Sequence, residues 1–306
     1  MSEQRVIRFM SQSKLALGFS ALLIVLSVIS LAVRGLNLGL DFTGGTVIEL
    51  EYEQAPRVDS VRQQLESAGF GKVVVQKFGA DTNILIRMGE SHDDKVGQKV
   101  VQALKASGQT GAIELKRAEF VGAQIGDELR EKGGMGLLLA LLMIMVYVAF
   151  RFQFKFSVGA VVALFHDVII TIGLFSIFQW EFDLNVLAAI LAIIGYSLND
   201  TIVISDRIRE NFRKIRKGSP DEVIDISITQ TLARTIVTGL TTLLTLLALY
   251  FFGGDTLRGF SEALIIGIII GTYSSIYVAS ALLLVQGISR EDLALPVKDQ
   301  PEDGVV

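Results

Sequence analysis

The chain contains no cysteine, which excludes disulfides, thiolate zinc sites and iron–sulfur clusters. Histidine occurs only as His92 and His166, too few for a histidine-based metal site. Neither a G-x-x-x-x-G-K-S/T loop nor a Rossmann glycine fingerprint is present. No cofactor, no metal, no enzymatic centre and no nucleic-acid partner is expected. If the protein does work, its own sequence offers no visible nucleotide site to power it.

Apolar sequence is what the chain has in abundance. Of its 306 residues, 51% are hydrophobic, the profile of a membrane protein. The net charge of −4 says less than where the charges lie. Leu15 to Val33 is an unbroken apolar run of spanning length behind a basic start at Arg5, Arg8 and Lys14. It is too long for a signal-peptide core and no small-residue cleavage site precedes Arg34, so it reads as a retained first helix. Further spans are expected over Gly133 to Phe150, Phe156 to Phe178, Leu184 to Ile204, Thr235 to Phe252 and Phe260 to Val285. Gln179 to Asp183 and Gly253 to Gly259 read as turns, and Asp221 to Thr231 as an amphipathic surface helix leading into the fifth span.

Gly35 to Lys132 differs, being polar and patterned at short period. Strand patterns at 46–52, 72–78, 83–88 and 112–120 alternate with helical patterns at 57–68 and 94–106. The order β-α-β-β-α-β is the split-βαβ, ferredoxin-like arrangement. The fold class expected is therefore a polytopic α-helical membrane protein of six spans, with one exported α+β domain between the first two. The expected divisions are 1–34 (cytoplasmic start and first span), 35–132 (exported domain), 133–288 (spans two to six, with a basic cytoplasmic loop over 205–233) and a disordered tail, 289–306. The short basic segments at the N-terminus, 151–155 and 207–217 place both termini in the cytoplasm by the positive-inside rule.

The fourth span carries Asn199 and Asp200 well inside an apolar stretch. An aspartate there costs roughly 2.5–3.5 kcal/mol on insertion scales. Such a charge reads as a proton relay, an ion site or half of a buried pair. Arg234, at the entrance of the fifth span, is expected at a comparable depth and as its partner, or as an ordinary basic flank. Thr238, Thr241, Thr242 and Thr245 form a hydroxyl stripe that lines a hydrated path or bonds between helices. His166 and Asp167 sit midway along the third span; as neighbours they are expected to point in different directions, or else to form a satisfied structural pair. Gly267, Gly271 and Ser275 make a small-residue stripe that reads as packing.

Three stretches together resemble the SecF family of protein-translocase subunits: Gly39-Leu40-Asp41-Phe42-Thr43-Gly44-Gly45, then 121–129, then 198–211 followed by 233–239. Ala123 stands where that family often has proline and Ser205 where it often has phenylalanine, and neither departure touches a charged position. The resemblance implies a subunit of the bacterial inner membrane that pairs with SecD in an RND-like assembly. It implies work beside the SecYEG channel and its SecA-driven export, with YajC and YidC as further partners and an unfolded polypeptide as cargo. The proton motive force would drive late, ATP-independent stages of translocation. Asp200 and Arg234, with Asn199, would couple the ion; His166, Asp167 and Thr238 would support them. Gly39, Asp41, Gly44 and Gly45 would form a turn, a hinge or a partner contact. The rival readings are an independent RND-like exporter of lipid or small molecules, and a purely structural subunit with a permanent Asp200–Arg234 pair.

Overall fold

A computed structural model describes residues 6–89, 95–107, 111–289 and 292. His92 and nearly all of the expected disordered tail lie outside the described residues. The first span is α1 (Ser13–Arg34). A short strand β1 (Asn37–Leu38) and a one-turn helix α2 (Leu40–Thr43) follow.

The α+β unit then runs β2 (Gly45–Tyr52), α3 (Val58–Ser67), β3 (Val74–Phe78), β4 (Ala80–Met88), α4 (Val96–Ala106) and β5 (Ile113–Val121). Its sheet order is β3-β4-β2-β5, antiparallel throughout, which is the split-βαβ topology. The cause is visible in the periods. Val61 and Leu65 on α3, and Val96, Val100 and Leu104 on α4, recur at helical spacing on one face. They close over Ile48, Leu50, Ile84 and Ile86, which alternate along the central strands. The sheet's other face has no helix on it within this unit and turns toward the membrane helices.

The remaining helices are α5 (Ala123–Arg151), α6 (Phe154–Phe178), α7 (Leu184–Lys214), α8 (Pro220–Phe252) and α9 (Asp255–Tyr273), with a two-residue strand β6 (Glu181–Phe182) before α7. The last span continues from α9 through a π-helical turn at Ser274–Ala279 into α10 (Ser280–Val285). Among the described residues six helices, counting α9 to α10 as one, are long and apolar enough to cross a membrane.

The helices overrun the expected limits, for local reasons. α5 begins at Ala123, ahead of 133, because 123–132 is rich in helix formers and Glu128 pairs with Lys132 one turn on. The basic segment 205–233 is not a loop. α7 continues to Lys214, laced by Arg209–Asp206, Arg207–Glu210 and Lys214–Glu210 pairs. Ser219, Pro220 and Glu222 then form a capping box that starts α8 at once. The expected surface helix at 221–231 and the fifth span are thus one rod, and only 215–219 links it to α7. The turn at 253–259 shrinks likewise to two glycines. The 179–183 turn contains β6, which pairs in parallel with β1.

In the apolar windows of α6, α7 and the last span 56% of residues are buried, against 11% in α5 and 17% in α8. The first three therefore form the bundle centre. Close approach there needs small residues. A Cβ on Gly267 would stand 2.3 Å from Ile193 side-chain atoms, and one on Gly271 would stand 3.0 Å from Ser197 Cβ. The small-residue stripe is thus the seam between the last span and α7.

Candidate functional site

α7 starts under double control. The Asp183 side chain caps it by accepting from the Val186 N–H at 2.8 Å, and Asp41 Oδ2 accepts from the Leu184 N–H at 3.0 Å. At the middle of this rod lies Asp200, 3% exposed. Among the described residues its Oδ2 has no hydrogen-bond partner; the same holds for Tyr196 Oη and Thr235 Oγ1. Tyr196 and Asp200 are one turn apart on α7, as Thr235 and Gly239 are on α8. A Cβ on Gly239 would stand 3.7 Å from the Tyr196 hydroxyl. Because the two helices run antiparallel, that contact sets Asp200 against Thr235.

The expected Asp200–Arg234 ion pair is not formed among the described residues. Arg234 is exposed on the outer side of α8 and acts on Asp200 only through space. The reason is angular: adjacent residues on a helix project about 100° apart, and it is Thr235 that takes the inner position. The arginine–aspartate pairing at this end of α7 falls to Asp206, which binds Arg151 at 2.7 Å and Arg209 at 3.0 Å. Asn199 is exposed, one position round the helix from Asp200, so it does not join the buried face.

His166 and Asp167 do not point apart. His166 Nδ1 lies 2.8 Å from Asp167 Oδ1, and both residues are at most 2% exposed. Asp167 Oδ2 accepts from the hydroxyls of Ser197 on α7 and Ser274 on the π-helical turn, the latter at 2.8 Å. His166 Nε2 meets Ser20 of α1 at 3.0 Å. Thr201 and Ser275 bond at 2.8 Å beside them. The π-helical turn shifts the ring of residues on the last span, which sets Ser274 and Ser275 both inward. Sequence reading missed Ser20, Ser197, Ser274 and Tyr273; the signal was a set of serines within apolar runs, a common and weak one.

Among the described residues the threonine stripe makes no hydrogen bond to another helix. Thr238, Thr241, Thr242 and Thr245 donate to carbonyls one turn back on α8, at 2.9, 2.9, 2.9 and 3.1 Å. Thr238 and Thr242 are half-buried, and Thr241 and Thr245 exposed.

The glycine-rich stretch is a joint rather than a plain turn. Gly39 caps α2, and its N–H donates to the Phe182 carbonyl at 2.8 Å. Gly44 has φ 63°, and a Cβ there would stand 2.7 Å from Ala123 Cα, so only glycine fits against the start of α5. Gly45 passes the Met88 carbonyl, 2.8 Å from where its Cβ would be. Arg87 of β4 donates to the Leu38 carbonyl at 3.2 Å and pairs with Glu181. The α+β unit, the β1–β6 ribbon and the head of α7 are thereby bonded into one piece. A cavity of about 650 Å³ opens beside it, between the sheet's open face (Val47, Phe78, Leu85) and Asp41, Asp183 and Glu262. Burial pushes the carboxyls of Glu181 and Asp183 above their ordinary range, and the nearby Asp41 adds to the push; Arg87 opposes it at Glu181.

Six spanning helices, ionisable groups hidden at their centre and one ferredoxin-like unit bonded to the head of a charged helix define a multi-pass membrane protein of transport type. A family model described as protein export membrane protein SecD/SecF, C-terminal, matches residues 99–288, and one for the SecD/SecF GG motif matches 29–56. The chain belongs to the SecF family of protein translocase subunits. It is 51% identical over 298 residues to a protein translocase subunit SecF of Pseudomonas aeruginosa, covering 97% of each chain. To that of Vibrio alginolyticus it is 48% identical over 299 residues, covering 97% of this chain and 95% of the other. Among solved structures it is similar to SecDF, a translocon-associated membrane protein of Thermus thermophilus, with TM-score 0.83 and 40% identity over 94% of this chain. A SecDF structure in the Super-membrane-facing form matches at TM-score 0.68 and 39% identity over 92% of this chain. In both cases this chain spans 39% of the solved chain's length.

Proposed function

We propose that the protein is the SecF subunit of a bacterial inner-membrane export machine, coupling a proton gradient to late, ATP-independent stages of polypeptide translocation. SecD is its partner, and the pair acts beside SecYEG after SecA-driven export, with YajC and YidC as further neighbours. It is a motor subunit and not an enzyme. Support for SecD comes from the solved SecDF chains, of which this chain matches one part.

The observation that carries the coupling role is Asp200, a buried carboxylate with an oxygen that no group among the described residues serves. Native proteins rarely leave a buried acceptor unserved outside functional sites. A proton or cation taken there neutralises the charge within the membrane. Arg234 looks away from this chain's core, which fits a site completed by the helices of a second subunit. A change of charge on α7 has a direct route outward. The head of that helix is bonded to Asp41, to the β1–β6 ribbon and through Arg87 to the α+β unit. A ligand shifts such an equilibrium only by its differential affinity for two packings, so the unit must hold the cargo chain better in one of them.

Orientation follows the positive-inside rule: both termini and the 207–217 segment face the cytoplasm, and the α+β unit faces the periplasm. Since the chain is free of cysteine, single cysteines at exposed positions 213 and 66 report this. An impermeant reagent on spheroplasts should label position 66 and spare 213.

The decisive experiment is late-stage translocation in inner-membrane vesicles, with and without an imposed proton gradient. Asp200→Asn keeps size and polarity, so it should assemble with SecD and lose the gradient response. Arg234→Met should impair the same step. A wild-type response from an assembled Asp200→Asn complex would overturn the motor reading and leave a structural subunit.

A further inference from the structure

The hydrogen bonds around His166 fix where protons lie. The Ala16 carbonyl only accepts, so the Tyr273 hydroxyl donates to it, at 2.7 Å. The Tyr273 oxygen is then an acceptor, and Ser20 donates to it at 3.2 Å. With its single proton so used, Ser20 accepts from His166 Nε2, which therefore carries hydrogen. On the other side of the ring, Nδ1 faces Asp167 Oδ1 at 2.8 Å. A bare Nδ1 and a bare carboxylate would both be acceptors and would not bond. Asp167 Oδ2 already receives the Ser197 hydroxyl and shares that of Ser274, at 2.8 Å, with the Gly271 carbonyl at 3.1 Å, so it is not where a proton resides.

We infer that His166 and Asp167 form a second proton site, separate from Asp200, in which one proton is held between Nδ1 and Oδ1 and occluded by three helices. Written as imidazolium with carboxylate, or as imidazole with carboxylic acid, the pair has no net charge. Removing its proton leaves one unbalanced negative charge in the bundle centre, which is costly in a low-dielectric interior.

Each wall of the site belongs to a different span. α1 supplies Ser20, α7 supplies Ser197, and the last span supplies Ser274 and Tyr273, whose ring stacks on His166 at 6.2 Å between centroids. All three serines are at most 4% exposed. The titratable groups on these walls are Tyr273, its neighbour Tyr277 and, one turn beyond Ser197, Asp200. Among the described residues, no lysine or arginine bonds to the pair. Ser197 lies on the helix that carries Asp200, and Ser275 bridges Thr201 to the Ser197 carbonyl at 2.8 and 3.4 Å. Movement of α7 away from α6 withdraws the Ser197 donor from Asp167 and opens the pair. The site thus works as a latch: it exchanges its proton only when the packing opens, and reclosing requires the proton back. This inference does not depend on Asp200 being the coupling residue.

The test uses the full chain with His92→Gln, leaving one histidine, labelled with nitrogen-15 and held in detergent micelles. Nitrogen shifts and one-bond N–H couplings of His166 are read by NMR. The expected result is a directly bonded proton on Nε2 and a strongly hydrogen-bonded Nδ1. A neutral ring with its proton on Nδ1 and a bare Nε2 overturns the inference. Asp167→Asn provides the second arm. Its amide donates to Nδ1 while its carbonyl keeps both serines, so it copies the protonated pair. Nε2 should remain protonated and Nδ1 become a plain acceptor; a ring that instead moves its proton to Nδ1 also overturns the inference.

Discussion

Asp167 and Asp200 are equally hidden, at 1% and 3% exposure, and served quite differently. Asp167 has both oxygens occupied, by an imidazole and two hydroxyls from three helices. Among the described residues Asp200 keeps Oδ2 without a partner, and its arginine is exposed on α8 and makes no bond to it. A fully satisfied polar cluster in a low dielectric fixes one packing, because every group would lose its partner in another. An unsatisfied one leaves the packing free to answer to whatever binds. The bundle thus holds a clamp and a receiver on successive turns of contact along α7.

The comparison is most sharply tested by removing each carboxylate in turn. Asp167→Leu should destabilise the purified chain by about 3–5 kcal/mol, the usual cost of breaking a buried polar pair by removing one member. Asp200→Leu should cost little or stabilise, since it removes a buried group without breaking a bond. Denaturant titration in detergent reads both; a larger loss for Asp200→Leu would break the comparison.

Next in size is the seam that presses Ser197 toward Asp167. Gly267→Leu forces atoms into Ile193 and should cost about 1–3 kcal/mol. Gly195 on α7 has open space at its Cβ, so Gly195→Leu should stay within about 0.5 kcal/mol of wild type by thermal melting. Equal losses would show that the seam is not close-packed.

Asp41→Ala removes the cap on the Leu184 N–H and should cost about 1 kcal/mol. Hydrogen exchange should quicken over 184–187 and stay slow over 197–201, because the clamp lies several turns below. Spread of the change to Ser197 would mean that head and clamp move as one.

The smallest effect is in pH. The carboxyls of Glu181 and Asp183 hold their protons to higher pH when folded than when unfolded. Their contribution is therefore fully present below the ordinary carboxylate range and is lost as pH rises through the raised values. Amide protection in the β1–β6 ribbon, corrected for intrinsic exchange, should weaken from mild acid toward neutral pH. Asp183→Asn should flatten the profile, while the amides around Asp167 should not follow it. A flat profile in the wild-type ribbon would remove burial as the cause.

How much of this is legible in the chain varies with range. The ferredoxin-like order shows because Val61 and Leu65, or Ile84 and Ile86, keep periods that any short window reveals. The helix limits show less well, because capping at Ser219 and ion pairs along 206–214 let helices run through polar sequence. Asp200 stands out because a carboxylate inside an apolar run is costly. Its relation to Arg234 does not show, since a shift of one residue round α8 puts Thr235 inside and the arginine outside.

The sequence alone determined that this protein crosses the membrane six times, carries one α+β unit after the first crossing, and hides aspartates where few chains tolerate them. Those properties rest on local composition and period. Tertiary structure alone decided which aspartate is served. Ser20, Ser197 and Ser274 come from three different spans, and a π-helical turn aims the last of them. It also decided that Asp41 caps a helix far along the chain, and that β1 finds β6. A hydroxyl in an apolar run can bond to its own helix, as Thr238 does, or to a buried charge, as Ser197 does. Only the packing of distant segments separates the two.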